Sequence, residues 1–146
     1  MLIVIFSCIS LIAITTLIHY EFLGSLYAAL PSFSIPNRNK LLLVIFTAFV
    51  AHAIEMAVYG ISFFFLVMYM DVGSLSGTTE FSLANCLYFS AETYTSLGFG
   101  DLTPIGPIRL LVGAEALNGL LLIGWSGSFA YIAMEQFWNA GEKEKR

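Results

Sequence analysis

Three long apolar runs, residues 2–18, 41–70 and 108–138, constrain this chain more than any other feature. Roughly 20 helical residues cross a hydrocarbon layer about 30 Å thick. At 1.5 Å per residue the second run makes about 45 Å of helix, so it must tilt or protrude. The first run continues less regularly through His19, Tyr20 and Glu21 to Leu30. With 58% hydrophobic and 11% charged residues in 146 positions, the chain has too little polar surface to cover a soluble core. A membrane protein is expected. No Lys or Arg precedes the first run, and "YAALP" is only a loose match to a cleavage site, so this run is read as a membrane helix and not a removable leader.

Basic residues set the orientation. Arg38 and Lys40 lie between runs one and two, and Lys143, Lys145 and Arg146 follow run three, so five of the six basic residues share one side. That side is expected to be cytoplasmic, with the N-terminus outside, the C-terminus inside and Arg109 the lone exception. Cys8 and Cys86 both fall in apolar segments, where a small hydrophobic role is expected rather than a bridge. Residues 139–146 leave no room for a soluble domain after the last helix. No phosphate-binding loop, internal repeat, nucleophile–base pair or nucleic-acid-binding patch is visible.

Between runs two and three lies a segment too short to span. Thr78, Thr79 and Glu80 supply hydroxyls and an acid for a helix start, and "FSLANCLYFSAETYT" then runs for about fifteen positions without Gly or Pro. Such a half-membrane helix enters from outside and must return there. Backbone that turns within a bilayer is tolerated where it is buried in protein or lines a wet cavity, so residues 96–101 should line something wet. Gly98 and Gly100 supply the positive φ values that alternate along a strand whose carbonyls all face one way. A row of such oxygens is a hard ligand set for a partly dehydrated alkali cation. The helix before it directs its negative end toward the same place. One strand cannot surround an ion, which implies a cyclic oligomer.

The stretch "TSLGFGD" resembles the selectivity filter of potassium channels, usually Thr, Val or Ile, Gly, Tyr or Phe, Gly, Asp. From Phe81 to about Trp138 the chain resembles the pore module of two-transmembrane bacterial potassium channels. Run two supplies the outer helix, and the first run is an addition. The resemblance implies that Ser96, Leu97, Gly98, Phe99 and Gly100 bind potassium, the only ligand expected, with no cofactor. Thr95, Tyr88, Glu92 and Asp101 would support the filter, Glu92 sharing a proton or water with Asp101. Ser96 keeps the hydroxyl of the usual Thr without the methyl that stiffens χ1. Leu97 contributes a carbonyl, with its side chain packed behind the filter. Phe99 lacks the phenolic hydrogen bond that Tyr supplies.

Gly119 falls where the family places an inner-helix hinge, although close helix packing also uses small residues. Ile123, Gly127 and Tyr131 follow at i, i+4 spacing as a cavity face, with Tyr131 narrowing the cytoplasmic mouth. Trp125 and Trp138 are expected to face lipid or its interface.

A polar layer is also expected. His52 and Glu55 lie about 16 and 21 Å up from the inner start of run two, and Glu115 and Asn118 roughly 12 and 16 Å down from the outer start of run three. Across about 30 Å these depths nearly coincide. Because intramembrane ionisable groups are usually paired, His52 and Glu55 should bond with Glu115 or Asn118, either as a clamp or as a proton-sensitive gate. Zinc is not expected there, since two ligands are too few. No regular arginine series marks a voltage sensor.

The fold class expected is an all-α membrane protein with three transmembrane helices, a re-entrant pore helix and an extended filter loop, assembled as a tetrameric pore. Residues 1–30 form the additional helix, 31–40 a cytoplasmic linker and 139–146 a tail. Within the pore module of residues 41–138 the outer helix takes 41–70, the pore helix 80–95, the filter 96–101 and the inner helix 107–138. The expected function is passive, potassium-selective conduction by a homotetramer in a bacterial inner membrane, opened by a stimulus or a regulatory subunit that the sequence does not specify. The alternatives are a weakly selective cation channel and a non-conducting or accessory subunit of a potassium transport system. A transporter is disfavoured because those resemble several joined, degenerate repeats, and this chain holds one.

Overall fold

The computed structural model describes residues 1–77 and 80–143, the side chains of residues 138–143 excepted. Thr78, Thr79, Lys145, Arg146 and the side chains of Trp138 and Lys143 therefore lie outside the described residues. Among the described residues four α-helices carry the fold: α1 (Leu2–Ala29), α2 (Asn37–Met70), α3 (Leu83–Tyr94) and α4 (Arg109–Lys143). Three of them, α1 together with the short turn that follows it, α2 and α4, supply segments long and apolar enough to cross a membrane, Leu2–Ser32, Asn37–Met70 and Arg109–Phe137. The protein is an all-α, multi-pass membrane protein. Its outward faces carry Phe6, Ile9, Leu17, Phe46, Phe49 and many other large apolar side chains, as a lipid-facing surface should.

Local chemistry sets the helix ends. A single turn of 3₁₀-helix, Leu30–Ser32, finishes α1 at Pro31. Pro36 precedes α2, which starts at Asn37 rather than Leu41, because polar Asn37, Arg38 and Asn39 continue the helix past the apolar run. Asp71, in the left-handed region at φ 50°, ends α2, a conformation that short polar side chains tolerate. Helix α3 starts three positions inside the expected 80–95: Ser82, not Thr78 or Thr79, is its cap, and the Ser82 hydroxyl accepts the Asn85 amide at 3.2 Å. Such a cap satisfies one of the amides a helix start leaves unpaired.

A two-stranded antiparallel ribbon closes the segment around the re-entrant helix. Strand β1 (Ser74–Ser76) pairs with β2 (Thr103–Ile105), Leu75 facing Pro104. Gly77 comes so near the Asp101 carbonyl that a Cβ there would sit 1.8 Å from it. The chain entering α3 and the chain leaving residues 96–101 are thus fastened side by side.

Helix α1 packs along both α2 and α4 of its own chain. Val4, Cys8 and Leu11 join a core with Tyr59, Phe63, Phe89, Ile108 and Leu111, while Leu26 and Leu30 meet Val44 and Ala133 at the other end. Cys8 and Cys86 are both buried thiols. Close helix contact uses glycine twice: a Cβ on Gly60 would lie 2.9 Å from the Leu87 Cα, and one on Gly119 would lie 2.2 Å from the Tyr94 carbonyl oxygen.

Candidate pore loop and its intramembrane braces

The loop after α3 alternates in hand. Ser96, Gly98 and Gly100 have φ of 57°, 52° and 79°, with Leu97 and Phe99 between them outside the positive region. Flanking residues aside, nothing among the described residues lies within 4 Å of a Cβ built on Gly98 or Gly100, so conformation, not crowding, demands glycine there. Ser96 adopts the same hand at a cost of about 1–2 kcal/mol, offset by its amide donating to the Thr93 carbonyl at 2.9 Å.

Glu92 organises the turn. Its carbonyl accepts the amides of Leu97 at 2.9 Å and Gly98 at 3.2 Å, and its carboxylate accepts the Phe99 amide at 3.1 Å. Tyr88 donates its phenolic hydrogen to Asp101 at 3.0 Å, and Thr95 donates its hydroxyl to the Ala91 carbonyl at 2.7 Å. Burial, with the neighbouring Asp101 carboxylate, holds Glu92 above its ordinary value, against the Phe99 amide, which pulls it down. The bond to Asp101 raises the Tyr88 phenol. Leu97 and Phe99 stay exposed on the single chain. The packing expected behind Leu97 is thus not supplied by the described residues of its own chain.

The polar layer divides differently from the expectation. Glu55 pairs with neither Glu115 nor Asn118. Its Oε1 lies 2.9 Å from Nδ1 of His19, a residue of α1, while its Oε2 meets His52 Nδ1 at 3.1 Å and accepts the hydroxyl of Tyr94. His19 Nε2 faces the Ser126 hydroxyl at 3.2 Å. Glu115 instead accepts the Ser90 hydroxyl at 2.5 Å, and Ser90 also lies 2.8 Å from the Met56 carbonyl. Asn118 donates to the Thr15 hydroxyl at 2.7 Å and to Tyr59 at 3.2 Å. Three buried polar nodes therefore join α1, α2, α3 and α4. Equal depth brought these residues to one level, but helix rotation chose their partners, and α1 inserts its own polar side chains between the other two spans.

On α4, Gly119 packs against the last residue of α3. Ile123 and Gly127 line a cavity of about 420 Å³ with His52, Tyr94 and Ser126, and Tyr131 is exposed. Trp125 is exposed, and its ring also stands 5.3 Å from His19. His19, Thr15, Ser90, Tyr59 and Ser126 were not singled out in the sequence, where only their polarity within apolar runs marked them.

An ion channel family matches residues 40–136 of this chain. Two-pore potassium channel 1 of Arabidopsis thaliana is 34% identical over 70 residues, 41% of this chain and 19% of that protein. Inward rectifier potassium channel Kirbac3.1 of Paramagnetospirillum magnetotacticum is 33% identical over 69 residues, 46% of this chain and 23% of that protein. The chain therefore spans less than a quarter of the length of these relatives. No solved structure matches. With more than half its length matched, the chain belongs to the ion channel family. It is a membrane channel protein and not an enzyme.

Proposed function

We propose that four copies of this chain surround a central axis and conduct potassium passively, the main-chain oxygens of Ser96, Leu97, Gly98 and Phe99 replacing the water around the ion. The observation that carries this reading is the alternating hand at Ser96, Gly98 and Gly100, the backbone form that a one-sided row of carbonyls requires. Glu92, fastened to three successive amides by its carbonyl and carboxylate, braces that form. The negative end of α3 favours a cation beneath it. The likeness to two potassium channels in the matched segment supports the choice of ion. In a bacterial inner membrane, the setting that the resemblance suggests, the excess of basic residues on one side would favour an outside N-terminus and a cytoplasmic C-terminus. Tyr131 narrows the inner mouth, and the opening stimulus comes from elsewhere, a regulatory subunit included.

Flux from the purified protein in liposomes tests this. Potassium should exceed sodium by at least about tenfold, roughly 1.4 kcal/mol of discrimination, with block by barium and loss in Gly98→Ala. Equal potassium and sodium flux would favour the weakly selective channel, for which Phe99, lacking a hydroxyl to brace the loop, is the motivating feature. No flux of either ion from an intact assembly would favour a non-conducting subunit.

A further inference from the structure

His52 and Glu55 by themselves are too few to hold a transition metal, but the fold adds a third ligand from another helix. His19 of α1 is fully buried against them, and the donor atoms of His19, His52 and Glu55 all lie within 4.8 Å of one another. We propose that these three side chains form an intramembrane binding site for a divalent transition metal of the zinc class, fastening α1 to α2 beside the end of α3.

The geometry is close to what such an ion needs. With metal–nitrogen and metal–oxygen bonds of about 2.0–2.1 Å, tetrahedral ligand atoms stand about 3.3 Å apart. His19 Nδ1 and His52 Nδ1 already lie 2.9 and 3.1 Å from the two Glu55 oxygens, so a small outward shift of each ring admits the ion. Two ligands come from one helix at i, i+3, and one from its neighbour, a spacing that helix bundles use for metals built into their cores. Coordination through Nδ1 puts the hydrogen of His19 on Nε2, where it donates to Ser126 Oγ at 3.2 Å. That outer partner fixes the tautomer and the ring. The fourth position falls to the Tyr94 hydroxyl, already 2.9 Å from His52 Nδ1, or to a water that displaces it from the cavity of about 420 Å³ lined by His52 and Tyr94. Excess positive charge is met by the C-terminal end of α3, whose last residue is Tyr94. Two imidazoles and one carboxylate suit zinc or cobalt; calcium and magnesium ask for six or more oxygens.

The test uses the untagged, assembled protein, stripped with chelator, and needs no conduction. Its failure is therefore distinguishable from failure of the channel reading. Cobalt(II) should give the visible spectrum of a tetrahedral site, saturate at one ion per chain and be displaced by zinc. His19→Gln and His52→Gln should each weaken binding at least about tenfold, since even loss of an outer partner has that scale. Should either variant fail to assemble, X-ray absorption of the zinc-loaded native protein decides, with scattering from two imidazoles expected. Absence of binding, a spectrum retained in the double variant, or a zinc shell without imidazole would each overturn the site.

Discussion

Tyr94, the last residue of the helix that leads into the pore loop, donates its phenolic hydrogen to Glu55, a fully buried carboxyl of the outer helix. Through Glu55 the same residue is connected to His19 on α1. The added first helix is thus wired to the end of α3, one residue from the start of the pore loop.

Replacing Tyr94 by Phe keeps the ring and removes that bond. A buried hydrogen bond of this kind contributes about 1–3 kcal/mol per chain. The thermal midpoint of the detergent-purified assembly should fall. An unchanged midpoint would mean that the bond adds nothing to the native state.

The glycines of α4 should separate into two kinds. At Gly119 a methyl group would meet the Tyr94 carbonyl oxygen at 2.2 Å, whereas at Gly124, its own helix backbone aside, nothing among the described residues lies within 4 Å. Gly119→Ala should therefore cost about 1–3 kcal/mol through overpacking, and more if the backbone cannot yield. Gly124→Ala should gain up to about 1 kcal/mol from helix propensity. Opposite shifts in thermal midpoint are the expected result, and parallel shifts would contradict the packing role of Gly119.

Glu92 gives a pH signature. Its folded value is raised by burial and by Asp101, above the about 4.3 of an unfolded chain, so protonation favours the folded form. That contribution is present below about pH 4.3 and is lost as pH rises through the folded value. Glu92→Gln, whose amide oxygen still accepts from Phe99, does not suffer the loss. Its midpoint should exceed the native one at about pH 7 and converge with it near pH 4. A difference that grows toward acid would contradict this.

Ser90 and Glu115 form a pair whose halves should not be additive. Glu115 is fully buried, and its second oxygen has no partner among the described residues. Ser90→Ala strips the first oxygen too and should cost about 1–3 kcal/mol. Adding Glu115→Met removes the stranded carboxyl and should recover most of that loss. A double variant as unstable as the sum of the singles would show the pair to be uncoupled.

Three spans and a re-entrant helix were legible because hydropathy and length act locally. The loop was legible because positive φ selects glycine, though Ser96 adopting the same hand was not. Ser82 displaced Thr78 and Thr79 as the helix cap because the apolar residue Phe81 stayed outside the helix, a choice made by packing against Phe64. Three-residue strands such as Ser74–Ser76 are too short to display alternation. The pairing of Glu55 with His19 was hidden for a different reason: sequence gives the depth of a residue in a helix, but its partner depends on how neighbouring helices rotate and cross. His19 looked like a polar interruption of a span until α1 was laid against α2.

The most direct measurement is a structure of the assembled protein in potassium, with rubidium or thallium replacing it to mark the ions. Four chains about one axis are expected, with the oxygens of Ser96 to Phe99 directed at a row of ions between them. An assembly without that axis, or oxygens turned away from it, would contradict the proposal that these loops conduct potassium.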